Sequence, residues 1–117
     1  YRAGKKYPMV VHVHGGPVAQ DGFEFDYMSQ ALAAQGYLVV NPNYRGSSGR
    51  GAVFSRAIYA DWGGLEIQDI HAVVDHLVRL GHERIAMITG PKDAIRSGDV
   101  SIPSRIALKR ITPIIAF

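Results

Sequence analysis

Apolar residues fall into five periodic segments along the first 90 positions. Three short runs rich in β-branched residues predict buried strands, at residues 7–14, 37–40 and 84–89. Two longer segments with apolar residues at helical spacing predict helices, at residues 27–35 and 65–80. Asp26 is a suitable N-cap, and Gly36 and Gly81 stand where helices commonly end. Strand, helix and strand in succession form a parallel crossover unit, so the pattern predicts an α/β fold with a parallel sheet.

Composition limits the chain to one globular domain at most. Of its 117 residues 47% are apolar, which excludes a disordered chain, and no apolar run approaches the ~18 residues of a membrane-spanning helix. Cysteine is absent, which excludes a disulfide framework, a thiolate metal site and a cysteine nucleophile, and leaves the compartment open.

Charge separates the last 27 residues from the rest. Residues 1–90 carry eight basic and eight acidic side chains, whereas residues 91–117 carry five and two, so the net charge of +3 arises in the tail. These five basic residues are scattered and have no aromatic residues between them, so we expect neither nucleic acid nor a membrane as a partner. Twelve of the thirteen glycines lie in residues 1–90.

The first predicted strand ends in His14-Gly15-Gly16-Pro17. A strand that turns through two glycines exposes backbone N–H groups at the carboxyl end of a parallel sheet, where α/β folds bind ligands. Such a turn can hold an oxyanion. Taken alone, the motif could equally be a glycine turn that only reverses the chain.

Two further motifs follow in a long glycine-rich connection at residues 41–64. They are Asn43-Tyr44-Arg45-Gly46-Ser47-Ser48-Gly49 and Asp61-Trp62-Gly63-Gly64, the latter leading into Glu66 and Asp69. With the first motif, they resemble the start of the peptidase domain of the prolyl oligopeptidase family, in particular its acylaminoacyl-peptidase and dipeptidyl-peptidase branches. The resemblance covers residues 5–90.

This resemblance implies an incomplete α/β-hydrolase fold and a serine peptidase that cleaves short peptides through a Ser-Asp-His triad, without a cofactor. Members usually carry a β-propeller ahead of the catalytic domain. The resemblance thus implies that an N-terminal propeller and the C-terminal half of the catalytic domain are missing here. An ordinary carboxylesterase of the same fold is the nearest variant, although its loop more often reads His-Gly-Gly-Gly.

The resemblance also assigns roles to individual residues. His14, Gly15 and Gly16 match the loop that contributes one oxyanion-hole donor, for which the Gly15 N–H is the candidate. Some branches use a tyrosine hydroxyl here, and His14 departs from that pattern. Structural rather than catalytic positions are matched by Arg45, Asp61, Trp62, Glu66 and Asp69.

The nucleophile of this fold is absent from the sequence. The third predicted strand should end in Gly-x-Ser-x-Gly, the turn that carries the catalytic serine, but Gly90 is followed by Pro91-Lys92-Asp93-Ala94-Ile95. None of the seven serines stands in such a frame, and the triad's Asp and His normally follow the nucleophile. We therefore expect no catalytic residue in this chain, and an inactive product.

These observations divide the chain into two parts of different character. Residues 1–90 are expected to be the N-terminal portion of a hydrolase peptidase domain, and residues 91–117 an unassigned basic tail with a weak helix or extended piece near its end. We favour a frameshift, rearrangement or chimeric reading after Gly90 over a divergent family member that lost the Gly-x-Ser-x-Gly turn. A non-catalytic remnant or interaction fragment is the alternative function.

The sequence predicts neither a metal site nor a dinucleotide site. His12 and His14 could face one side of a strand and share a metal, but His71, His76 and His82 supply no third ligand at a suitable spacing. The glycines of residues 46–51 do not form Gly-x-Gly-x-x-Gly, and no helix is predicted to begin directly after them, so a dinucleotide site is not expected.

Overall fold

The computed structural model describes residues 1–16 and 18–89. Three strands and three helices occur in this part of the chain: β1 (Met9–Val13), α1 (Tyr27–Ala34), β2 (Leu38–Val40), α2 (Ala52–Arg56), α3 (Leu65–Arg79) and β3 (Ile85–Thr89). The predicted tail, residues 91–117, lies outside the described residues. No helix in the described part is long and apolar enough to cross a membrane.

All three strands are parallel, with β1 in the centre and the order β2-β1-β3. Met9 pairs with both Leu38 and Ile85, so the three strands start level with one another. Their carboxyl ends therefore lie at one edge of the sheet. The predicted α/β fold with a parallel sheet is confirmed.

The main core lies between the sheet and α3. One face of β1 contributes Met9, Val11 and Val13, and α3 meets it with Val74 and Leu77. Spacing by two on a strand and by three on a helix places each set on one face, which is the pattern that predicted both elements. Ile85, Tyr44 and Ile58 complete the same cluster.

Helix ends agree with the sequence signals. The Asp26 carboxylate accepts a hydrogen bond from the Ser29 N–H at 2.7 Å, as an N-cap does. Gly36 and Gly81 adopt φ of 87° and 83°, the left-handed conformation that glycine adopts at low cost after a helix. Lys6 donates from Nζ to the Leu80 carbonyl at the C-terminal end of α3, where the helix dipole favours a cation.

The prediction that no helix begins after residues 46–51 was wrong. Helix α2 begins directly after Gly51, which has φ of 88° and offers no capping side chain. Five residues are too few to show a helical period, and the usual polar N-cap signal is missing, so the sequence carries no local mark of α2.

Candidate functional site

Two loops meet at the carboxyl edge of the sheet. The glycine loop, residues 14–16, leaves β1 after Val13, and the second loop, residues 43–47, follows β2. Because β1 and β2 are parallel neighbours, the segments that leave them emerge side by side. This is the edge at which open α/β sheets bind ligands.

His14 is held by the second loop and by the carbonyl of the next residue, Gly15. Its Nε2 lies 2.8 Å from the Ser47 Oγ, and its Nδ1 lies 3.3 Å from the Gly15 carbonyl oxygen. The Tyr44 ring stacks on the imidazole with centroids 4.6 Å apart. The Tyr44 hydroxyl donates to the His14 carbonyl oxygen at 2.7 Å. His14 is thus placed by hydrogen bonds to both its ring and its backbone.

Ser47 is fully buried, with an exposed fraction of 0%. Its N–H donates to the Tyr44 carbonyl at 3.0 Å, and its carbonyl accepts from the Ser55 Oγ at 2.9 Å. Gly46 donates its N–H to the Phe54 carbonyl of α2 at 2.9 Å. The unpredicted helix α2 therefore supports the second loop from below.

The glycine loop presents open backbone amides. Gly15 and Gly16 are exposed, and neither N–H has an acceptor among the described residues. A Cβ placed on either glycine would meet no atom within 4 Å. Gly16 has φ of 57°, a left-handed conformation that disfavours other residues. Both amides therefore lie on an exposed loop without a hydrogen-bond acceptor in the described part of the chain.

Arg45 ties the second loop to α3. Its Nε donates to Asp69 Oδ2 at 2.9 Å and its second guanidinium nitrogen to Oδ1 at 2.7 Å, a bidentate pair. The Arg45 backbone N–H also donates to Asp69 Oδ2 at 2.8 Å, and the guanidinium reaches the Leu65 carbonyl at 3.1 Å. The loop that carries Tyr44 and Ser47 is therefore attached to α3 through Arg45.

The same contacts shift the pKa values of both partners. Burial raises the pKa of Asp69, but the hydrogen bonds from the Arg45 side chain and backbone, with its charge, outweigh burial and hold this pKa below its ordinary value. The hydrogen bond to Asp69 raises the pKa of Arg45. Burial, followed by the charges of Glu66 and Asp21, raises the pKa of Tyr44 and keeps its hydroxyl a donor at neutral pH.

The other residues of the third motif lie apart from His14. Glu66 accepts a hydrogen bond from the Gly63 N–H through Oε1 and so closes the turn at the start of α3. Asp61 is exposed, and its N–H donates to the Ile58 carbonyl at 3.1 Å. Trp62 is 66% exposed and lines an open cleft with Val18 and Tyr59 among others.

A reciprocal pair joins the segment after the glycine loop to the second loop. The Asp21 N–H donates to the Asn43 Oδ1 at 2.9 Å, and the Asn43 Nδ2 donates to the Asp21 carbonyl at 2.8 Å. The Ser48 N–H donates to the Ala19 carbonyl at 2.9 Å. The segment after the glycine loop is therefore hydrogen-bonded to the first residue of the second loop and to the residue just after its end.

Sequence reasoning missed the roles of Tyr44, Ser47 and Ser55 in this network. Tyr44 and Ser47 stand in a quoted motif, and the parallel pairing of the two preceding strands was a signal that their loops would meet. Nothing local marks Ser55. Within residues 1–16 and 18–89, no group of three or more His, Asp or Glu side chains is placed to hold a metal ion.

Comparison with known proteins gives matches to one class of peptidase. A model of the prolyl oligopeptidase family matches residues 23–87, more than half of the chain. An uncharacterized peptidase, YuxL, of Bacillus subtilis is 40% identical over 73 residues, which are 62% of this chain and 11% of the relative. Dipeptidyl-peptidase 5 of Aspergillus fumigatus is 43% identical over 68 residues, 56% of this chain and 9% of the relative.

A solved structure gives the same result for the fold. Pyrococcus horikoshii acylaminoacyl peptidase superposes with a TM-score of 0.67 at 34% identity, over 74% of this chain and 15% of that one. The chain thus spans about a tenth of the length of the curated relatives that it matches. The family match, these identities and the shared sheet agree with the motifs quoted above, and the chain belongs to the prolyl oligopeptidase family of serine peptidases.

Proposed function

We propose that residues 1–90 are the front of a serine peptidase domain for short peptides, and that the glycine loop supplies an oxyanion-hole donor, the Gly15 N–H. The observation that carries this proposal is the pair of open amides at the carboxyl edge of the sheet, on a loop fixed by Tyr44 and Ser47. When a serine attacks a peptide carbonyl, negative charge develops on the carbonyl oxygen. A preorganised N–H aimed at that oxygen stabilises the transition state.

We do not propose a catalytic triad within this chain. Sequence alone argues against one, because no serine stands in a Gly-x-Ser-x-Gly frame. Arg45, Asp69 and Glu66 make structural contacts within the loops and the start of α3, which supports positioning rather than direct catalysis. We propose that the 117-residue chain carries part of the oxyanion hole but lacks the nucleophile, and is therefore inactive.

A chimera tests the oxyanion role. Residues 5–89 replace the matching segment of the Pyrococcus horikoshii acylaminoacyl peptidase, which supplies the rest of the catalytic domain. Gly15→Pro removes the proposed donor and is expected to lower kcat by about 10²- to 10³-fold with a smaller change in KM. Gly15→Ala keeps the amide and enters open space, so we expect a loss of at most a few-fold.

A fluorophosphonate probe, which labels activated serines, completes the experiment. The chimera is expected to react with it and the purified 117-residue chain is not. Labelling of the isolated chain would contradict the proposed inactivity. Equal kcat for Gly15→Pro and Gly15→Ala would instead reject the Gly15 N–H as the donor.

A further inference from the structure

The Ser47 hydroxyl and the His14 imidazole form a serine–histidine hydrogen bond outside any triad. Ser47 is fully buried, so no substrate carbonyl can reach its Oγ and the pair is not a nucleophile with its base. A buried hydroxyl is nonetheless costly unless it is hydrogen-bonded, and this one is bonded to the ring that opens the glycine loop. The pair requires another role.

The partners of His14 determine which ring nitrogen carries the proton. A carbonyl oxygen only accepts, so the contact from Nδ1 to the Gly15 carbonyl at 3.3 Å needs a proton on Nδ1. In the neutral ring Nε2 is then an acceptor, and the Ser47 Oγ–H donates to it at 2.8 Å. Nδ1 also lies 3.5 Å from the Tyr44 hydroxyl oxygen, but that hydroxyl already donates its proton to the His14 carbonyl and can only accept from Nδ1–H. The Nδ1–H tautomer satisfies all of these contacts.

These bonds set the direction of two successive peptide planes. In a planar trans peptide the C=O and the next residue's N–H point in opposite directions. The Tyr44 hydroxyl holds the His14 carbonyl and thereby aims the Gly15 N–H away from the second loop. His14 Nδ1–H holds the Gly15 carbonyl and so fixes the direction of the Gly16 N–H.

We propose that Ser47 is a positioning residue of the glycine loop: its hydroxyl anchors the His14 ring at Nε2, and the Nδ1–H of that ring in turn orients the Gly15–Gly16 peptide. Tyr44 holds the preceding peptide through the His14 carbonyl and also stacks on the imidazole. This inference rests on the proposed function in one respect only, namely that the oriented amides bind the oxyanion of a substrate. The hydrogen-bond relay itself is a property of the described residues.

Histidine-selective ¹⁵N NMR of the 117-residue chain tests the relay. We expect the Nδ1–H signature for His14. Ser47→Ala removes the donor to Nε2 and should therefore shift the His14 Nε2 signal and, through the released ring, the Gly16 amide signal. Tyr44→Phe should shift the Gly15 amide signal while the tautomer stays. Ser48→Ala is the matched control, because the Ser48 Oγ bonds to Gln20 instead.

Either of two results would overturn the proposal: an Nε2–H His14 in the parent chain, or unchanged His14 Nε2 and Gly16 amide signals in Ser47→Ala. If the chain gives no dispersed spectrum, the chimera decides. There Ser47→Ala should lower kcat about five- to tenfold, the value of one hydrogen bond, with KM and the Ser48→Ala control unchanged. Parental kcat in Ser47→Ala rejects the relay.

The two proposals fail in different ways. If Gly15→Pro leaves kcat intact while Ser47→Ala shifts the His14 Nε2 and Gly16 amide signals, the oxyanion role is wrong and the positioning role stands. If Gly15→Pro abolishes turnover while Ser47→Ala changes neither these signals nor kcat, the reverse holds.

Discussion

Arg45 is the residue through which the second loop is attached to the helical layer. Its backbone and side chain both bind the Asp69 carboxylate, so the position of Tyr44 and Ser47 depends on the charge of one side chain on α3. The carboxylate is the stronger acceptor when ionised. We therefore expect protonation of Asp69 to weaken the attachment of the second loop to α3.

The Arg45 amide proton should report the protonation state of Asp69 directly. Its signal is expected to titrate with Asp69 at a midpoint below 3.8, the ordinary value, because the hydrogen bonds of Arg45 overcome burial and lower the pKa. A lowered folded-state pKa means that the stabilisation is complete above the unfolded value and is lost as pH falls through the folded one. Amide NMR from pH 7 to 2 measures the curve. Asp69→Asn should abolish it, and a midpoint above 3.8 would contradict the assignment.

Which residues form this site was only partly predictable from the sequence. His14, Gly15 and Gly16 were identified because strand ends and paired glycines are local signals. The partners of His14 lie about 30 residues further along, and their contact depends on which strands become neighbours. A pattern that predicts strands without their order cannot specify the Ser47–His14 bond, although the order β2-β1 makes it reachable.

At the scale of elements, α1 is the helix that depends most on its own cap. None of its residues is buried, whereas α3 buries Val74 and Leu77. Helices that bury little rely on local terms such as capping. The hydrogen bond from Ser29 to the Asp26 carboxylate lowers the pKa of Asp26 and marks the cap as formed.

Asp26→Ala should therefore loosen α1 selectively. Loss of an N-cap costs about 1 kcal/mol, which corresponds to roughly fivefold faster exchange of the α1 amides. Hydrogen exchange read by NMR measures this effect. Asp26→Asn, which keeps a capping oxygen, should stay near the parent, and α3 amides should not change. Equal acceleration in α1 and α3 would show that the cap acts on the whole domain instead.

The elements with a hydrophobic period could be predicted from the sequence, whereas helix α2, which has none, could not. The strands β1, β2 and β3 and the helices α1 and α3 appear within about two residues of their predicted bounds. Helix α2 is fixed by tertiary contacts, among them the bonds from Gly46 to Phe54 and from Ser55 to Ser47. Its conformation is a consequence of the loops that it supports.

At the scale of the whole molecule, the described residues form a sheet of only three strands and leave several aromatic side chains exposed to solvent. Phe23, Phe25, Tyr59 and Trp62 are largely exposed, and in the described part of the chain β3 pairs with β1 alone. Exposed strand edges and apolar patches favour association. We expect the 117-residue chain to be marginally stable or to aggregate. Circular dichroism with light scattering during heating tests this, and a single cooperative transition without scattering would contradict it.

The proposed frameshift after Gly90 is tested by sequencing the DNA rather than by an experiment on the protein. The family pattern, the glycines and the charge balance all change at Gly90, where the fold calls for the nucleophile turn. A frameshift changes all three at one point, whereas gradual divergence would alter them independently. Resequencing from the codon for Arg84, with translation in three frames, should therefore give Gly-x-Ser-x-Gly a few codons past Thr89 in another frame, with an Asp and a His further on. Absence of that turn from every frame would favour a divergent, non-catalytic family member. The function to test would then be binding of a partner at the sheet edge rather than cleavage of a substrate.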